Sequence, residues 1–263
     1  MKLFDYLGGL FNKNKQAMTQ DARLPLKINF KTTVTLELNP ILSAITHGAM
    51  LNIQLDSLKV MHVQAISSIV IDGMDGKKIY RFYFNRGSKE KRLFLQVLCD
   101  SDNVENIDEI LLCSSLTEPP TGAEDIAFFC GDNQTGVGSP TYGFSRENLY
   151  NFLPQHEVDK RLAVQKADMV EYLRIDPEQE FMPAFTGLET VITDPYGTTG
   201  ERRKIMNLMP HSRALTDSLF EEFLVSFWVT TSKDNKEIYL NKQLPLAEYI
   251  FAIKLEAANI QVI

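Results

Sequence analysis

Residues 62–85 read HVQAISSIVIDGMDGKKIYRFYFN. Two runs rich in β-branched and aromatic residues flank Asp72-Gly73-Met74-Asp75-Gly76, a strong turn signal, and the pattern predicts a β-hairpin. In the second run Ile79, Arg81 and Tyr83 fall on one face of a pleated strand, and Tyr80, Phe82 and Phe84 on the other.

Working outward, KRLFLQVLCD (91–100) and IDEILLCSS (107–115) read as two further strands joined by an Asp/Asn-rich turn, and TEPPTG (117–122) then breaks the pattern. Residues 187–209 repeat the logic as strand, DPYG turn and strand. Residues 221–245 follow as a long strand, an SKDNK turn and another strand. The order of the first half recurs in the second. The expected fold is therefore α+β and mainly antiparallel β, with two similar β-meander units (about 51–120 and 168–263) packed together and a few short helices. LELNPILSAITHGAM (36–50) is one predicted helix, with Asn39 as cap, Pro40 in the first turn, and Ile41, Leu42 and Ile45 on one face. The Gly-rich stretch 131–143 reads as a loop.

The 263 residues suffice for a real core, and 44% hydrophobic with 23% charged residues is ordinary for a globular chain. No apolar run approaches the roughly 18 residues of a membrane-spanning helix. The first residues lack a signal-peptide layout, since Asp5, Gly8 and Gly9 interrupt their apolar run. Cys99, Cys113 and Cys130 lack metal-type spacing and read as reduced core residues, which points to the cytoplasm. A net charge of −7 disfavours a nucleic-acid binder. That charge is uneven: residues 1–31 hold six basic side chains against Asp5 and Asp21, a net +4 that leaves −11 for the rest.

Conventional chemistry finds little purchase. His47, His62, His156 and His211 are scattered; only His156, Glu157 and Asp159 could share a helical turn, and a solvated helix start after Pro154 explains them better. GDNQTGVG (131–138) lacks the Lys-Ser/Thr of a phosphate-binding loop, and no nucleophile elbow is present. No catalytic residue, metal ligand or cofactor site is predicted. Arg202, Arg203 and Lys204 form the compact basic cluster of the body, a secondary basic patch if carried on a hairpin tip.

The strongest functional signal lies at the start. In MKLFDYLGGLFNKNK (1–15), a helical period of about 100° per residue gathers Leu3, Phe4, Leu7, Leu10 and Phe11 into one arc, with Asp5, Gly9, Asn12 and Lys13 opposite. Two glycines weaken so short a helix by about 1 kcal/mol each, so it should order only where its apolar face is covered. Lys2, Lys13 and Lys15 suit an anionic membrane surface. The expected organisation is an amphipathic leader helix at 1–12, a polar tether at 13–24 and a β-rich body at 25–263.

The segments KIYRFYFN, RLFLQVLCD and YIFAIKLEAANIQVI resemble a bacterial family of unknown function, the YjfK-like proteins. The likeness rests on Arg81-Phe82-Tyr83, Phe94-Leu95-Gln96-Val97, Pro119-Pro120, the stretch Glu189–Pro195, and Leu255, Ala258 and Ile260. Residues 201–215 follow the family's pattern only loosely, through Met206, Met209 and Arg213. The resemblance implies an accessory role at the inner membrane, beside phage-shock-type coiled-coil proteins, and brings no catalytic residues. The expectation is a non-enzymatic cytoplasmic adaptor in envelope stress, peripheral on the inner membrane or bound to a coiled-coil partner through its leader. Two other readings compete with it. One is a small-ligand domain or enzyme with 131–143 as a lid; the other is a homo-oligomer whose leader docks on a neighbouring copy.

Overall fold

The computed structural model describes residues 24–84, 91–118, 129, 136–192, 201–231 and 246–263. Twelve strands dominate the described residues: β1 (Thr33–Leu36), β2 (Met61–Ile71), β3 (Lys77–Phe84), β4 (Lys91–Asp100), β5 (Ile107–Glu118), β6 (Thr141–Ser145), β7 (Met169–Arg174), β8 (Phe185–Ile192), β9 (Glu201–Ala214), β10 (Phe220–Thr231), β11 (Leu246–Lys254) and β12 (Ile260–Val262). The helices that lie wholly within the described residues are α1 (Asn39–Thr46), α2 (Arg146–Leu149) and α3 (Gln155–Gln165). Among the described residues no helix is long and apolar enough to cross a membrane.

The predicted hairpin is β2–β3, with Ile69 opposite Ile79 and Ser67 opposite Arg81. Its turn requires Gly73 and Gly76, whose φ of 81° and 77° are strained for any side chain, although a Cβ at either would meet nothing within 4 Å. Lys77 pins this hairpin to the next, donating to Asp100 at 2.6 Å and Asp108 at 2.8 Å.

β2 to β5 form one antiparallel meander and β8 to β11 a second. They join first strand to first and last to last: β2 pairs β8 with Ile69 opposite Glu189, and β5 pairs β11 with Ser115 opposite Ile250. Eight strands thereby close into a β-barrel, which removes the open edges that each meander would leave. Two flanges extend it. β12 and β1 continue from Met61 and His62, the start of β2 that β8 does not reach. β6 and β7 continue from His211 and Ser212, beyond the end of β8 on β9.

Both faces of the wall are covered. Outward-facing Phe82, Leu95, Leu112, Phe223 and Phe251 belong to the largest core, where they meet Ile41 and Ala44 of α1, Val158 and Leu162 of α3, and Phe144 and Tyr172 of the second flange. Hence β3 and β5 read as nearly continuous buried runs, whereas β7 keeps a strict exposed–buried alternation.

Three local expectations need correction. Leu38, not Asn39, is the N-cap of α1; Asn39 lies inside the helix and no side chain caps it. Ile41 and Ala44 are the buried pair, and Leu42 is 40% exposed, because the helix packs about its 41/44 stripe. In the described part of 131–143, Gly136–Gly138 is a buried 3-10 turn and Thr141 already begins β6. The leader and most of the tether fall in residues 1–23, outside the described residues.

Candidate functional site

The densest chemistry lies inside the barrel. Residues of one parity on every strand face the lumen, and several strands carry an apolar, a polar and a second apolar residue in turn. Ile79-Arg81-Tyr83, Leu98-Gln96-Phe94 and Leu246-Glu248-Ile250 are three such series, so a polar belt sits between two apolar plugs.

Arg81, Glu189 and Glu248 come from β3, β8 and β11 and are each no more than 1% exposed. The Nη1 of Arg81 stands 3.9 Å from Glu189 and 3.7 Å from Glu248, an ion-pair spacing longer than a direct hydrogen bond. Its Nε donates to Gln96 at 2.9 Å, and its guanidinium lies 5.0 Å from the Phe94 ring centre. Glu189 accepts from Ser67 at 2.5 Å and from Tyr83 at 2.8 Å, and its other oxygen stands 3.4 Å from the Lys204 ammonium. Glu248 accepts from Ser115 at 2.9 Å.

Electrostatics follow from that arrangement. Burial raises the carboxyl pKa of Glu189, but Lys204, Arg81 and the two hydroxyls outweigh it and hold the group down to about 2. Burial and the Glu189 charge together push the Tyr83 phenol far above its ordinary value, leaving a neutral donor. Burial opposes the charge of Arg81, and the Glu189 and Glu248 carboxylates favour it. Cys113 shares the lumen, where burial raises its thiol; Cys99 is pushed up to about 11, chiefly by burial. Both are buried free thiols, as the sequence implied. The belt joins strands distant in sequence through charge, and no solute reaches its central atoms while the plugs are in place.

A second buried set lies on the outer wall. Glu221 accepts from Arg213 at 2.7 and 2.9 Å, from Tyr172 at 2.8 Å and from the Met50 backbone at 2.5 Å. Arg213 also donates to the Gly48 carbonyl at 2.7 Å, and Arg161 from α3 donates to the carbonyls of Ala49 and Leu51 at 2.6 and 2.9 Å. Together they clamp residues 48–51, the strap leading from α1 to the barrel. Beneath it, Asn52, Ser114 and Phe152 border a recess with room for about a single water molecule.

Among the residues singled out in the sequence are Arg202, Arg203 and Lys204, of which Lys204 is withdrawn from the surface. They occupy consecutive positions of β9 opposite Val191, Thr190 and Glu189. Alternation sends Lys204 into the lumen, 7% exposed and paired with Glu189. His156 and Asp159 do not converge: His156 sits 3.7 Å from Glu157, while Asp159 accepts from Arg146 at 2.5 Å and from Tyr150 at 3.3 Å. Among the described residues no group of three His, Cys, Asp or Glu side chains could hold a metal ion. The described part of the Gly-rich stretch is pinned: Gly138 accepts from Met182 at 3.0 Å and from the buried Arg174, and a Cβ on it would stand 2.1 Å from the Met182 carbonyl oxygen. Leu3, Phe4, Leu7, Leu10, Phe11, Lys2, Lys13 and Lys15 lie outside the described residues.

Sequence reasoning left the role of Arg81 open and passed over Glu189 and Glu248. The available signal was a lone charge inside an apolar strand, as in IYRFYF, GLETVI and LAEYIFAI. No protein-family model, curated protein or solved structure matches the chain.

Proposed function

We propose that this protein is a non-catalytic cytoplasmic adaptor, peripheral on the bacterial inner membrane, in which residues 1–12 attach a closed β-barrel body to an anionic lipid surface. The amphipathic arc of Leu3, Phe4, Leu7, Leu10 and Phe11, flanked by Lys2, Lys13 and Lys15, carries this reading. Full burial of a large apolar side chain is worth about 1.5–3 kcal/mol, so five of them outweigh the helix penalty of Gly8 and Gly9.

The body supports the same reading. Its lumenal charges pair with one another beneath apolar plugs, which suits a rigid scaffold. Its anchoring end is firm as well: Leu24, Leu26 and Phe30 pack against the main core, so a pull on the preceding residues is passed to the barrel. The resemblance to YjfK-like proteins adds an envelope-stress setting, with a phage-shock-type coiled-coil protein as the alternative target of the same segment.

Co-sedimentation of the full chain with anionic vesicles tests this directly. The wild type should pellet at low salt and be released at high salt, and L7E/F11E should stay in solution under both conditions. Equal pelleting of the two proteins, or none by either, would remove the membrane from the reading and direct attention to a protein groove.

A further inference from the structure

One sheet face carries an unusual surface. The alternation along β7 turns Val170, Tyr172 and Arg174 inward and leaves Met169, Glu171 and Leu173 outward, with Ile175 continuing the outward series. Met169, Leu173 and Ile175 are 46%, 51% and 70% exposed. The registers Leu173 to Ser212 and Ala214 to Phe220 extend the same face onto β9 and β10, where Phe220 is 47% exposed.

Carboxylates outnumber exposed bases around these apolar residues, with Asp168 itself paired to Arg146 at 3.2 Å. Residues 168–180 contain Asp168, Glu171, Asp176, Glu178 and Glu180, and their one basic residue, Arg174, is buried. Its guanidinium is occupied by the carbonyls of Gly138, Asp176 and Gln179. On β10, Glu222 shares this face, and burial, then the neighbouring Glu109, raise its pKa to about 7, so it is only partly charged at neutral pH. An apolar face rimmed with carboxylates calls for a partner that is apolar and basic.

The chain carries such a segment itself. Residues 1–15 hold five large apolar residues in one arc, with Lys2, Lys13 and Lys15 against Asp5. The stretch between Phe11 and Leu24 reaches about 40 Å when extended, comparable to the width of a body whose radius of gyration should be about 18 Å. We infer that the exposed face of β7, with the adjoining ends of β9 and β10, is a docking surface for the chain's own residues 1–12. The inference rests on the membrane-anchor reading for its purpose: the latch covers the apolar arc until lipid competes for it. The same acidic face would be repelled by an anionic bilayer, so opening the latch also turns it away from the membrane.

Amide hydrogen exchange on the full chain without lipid is the test, comparing the wild type with L173S/I175S. Both substitutions lie at exposed positions and leave the inward face of β7 intact. Amides of residues 1–12 should exchange about tenfold more slowly in the wild type than in the variant, and E171K/E178K should weaken the protection in the same direction. Equal exchange in wild type and L173S/I175S overturns the latch. Protection that grows with protein concentration also overturns it, by assigning the surface to the leader of a second copy. Vesicle binding provides the separate readout: L173S/I175S should pellet at lower lipid concentration than the wild type. Protection without any vesicle binding keeps the docking surface and discards the anchor; vesicle binding without protection does the reverse.

Discussion

The two arginine–glutamate sets differ in geometry although both are largely withdrawn from solvent. On the outer wall, Arg213 meets Glu221 at 2.7 Å, and that carboxylate also accepts from Tyr172 and from the Met50 backbone. In the lumen, Arg81 stands 3.7 and 3.9 Å from its two carboxylates. The reason is mechanical. Glu221 lies directly opposite Arg213 in the β9–β10 register, so that pair closes to a short bond, and the strap of residues 48–51 settles onto the same carboxylate. Arg81 on β3, which pairs with β2 and β4, must reach its carboxylates on β8 and β11 across the lumen, so their separations follow the wall. A pair on neighbouring strands closes its contacts, whereas a belt that spans the barrel balances its charges.

This contrast predicts a ranking. Glu221→Ala removes the acceptor of three partners and strands Arg213 in a buried site, and it should cost about 3–5 kcal/mol in urea unfolding. A loss under about 1 kcal/mol would mean the clamp is no tighter than the belt.

Acid sharpens the comparison next. The folded carboxyl of Glu189 lies near 2 against an ordinary 4.5, so its contribution is fully present above pH 4.5 and disappears as pH falls toward 2. The loss should amount to about 3 kcal/mol. Stability measured against pH should fall more steeply over that window in the wild type than in Glu189→Gln. Parallel curves would show that Lys204 and Arg81 do not hold the carboxylate as the geometry indicates.

Glu248→Gln should have the smallest effect, about 1–2 kcal/mol, because Arg81 retains Glu189 and the amide still accepts from Ser115. A double-mutant cycle with Arg81→Met reads the coupling between the two residues. A coupling as large as that of Arg213 with Glu221 would erase the distinction between belt and clamp.

Much of the barrel was legible in the chain. The turn at 72–76, the alternation in 79–84 and the strand patterns of 91–100, 107–115, 187–209 and 221–231 announced seven of the eight barrel strands, because turn chemistry and side-chain periodicity are local properties; the strand expected after the SKDNK turn lies outside the described residues. β7, β11 and the short strands β1, β6 and β12 went unrecognised. Thr141–Ser145 carries two aromatics beside a glycine inside a Gly-rich stretch, and Ile260–Val262 pairs only with residues more than 200 positions away. The belt was hidden for a related reason. Arg81, Glu189 and Glu248 each look like an isolated charge in its own strand, and only closure of the wall brings them together.

The sequence by itself determined much of the strand content and the turn at 72–76, which follow from neighbours a few positions apart. Tertiary structure decided which face of each strand became lumen. It turned Lys204 from a member of a basic cluster into a partner of Glu189, and it left β7 with an open acidic and apolar face. Those outcomes depend on first-to-first and last-to-last pairing of the two meanders, and such long-range registers are fixed only when eight strands satisfy one another's backbone bonds at once.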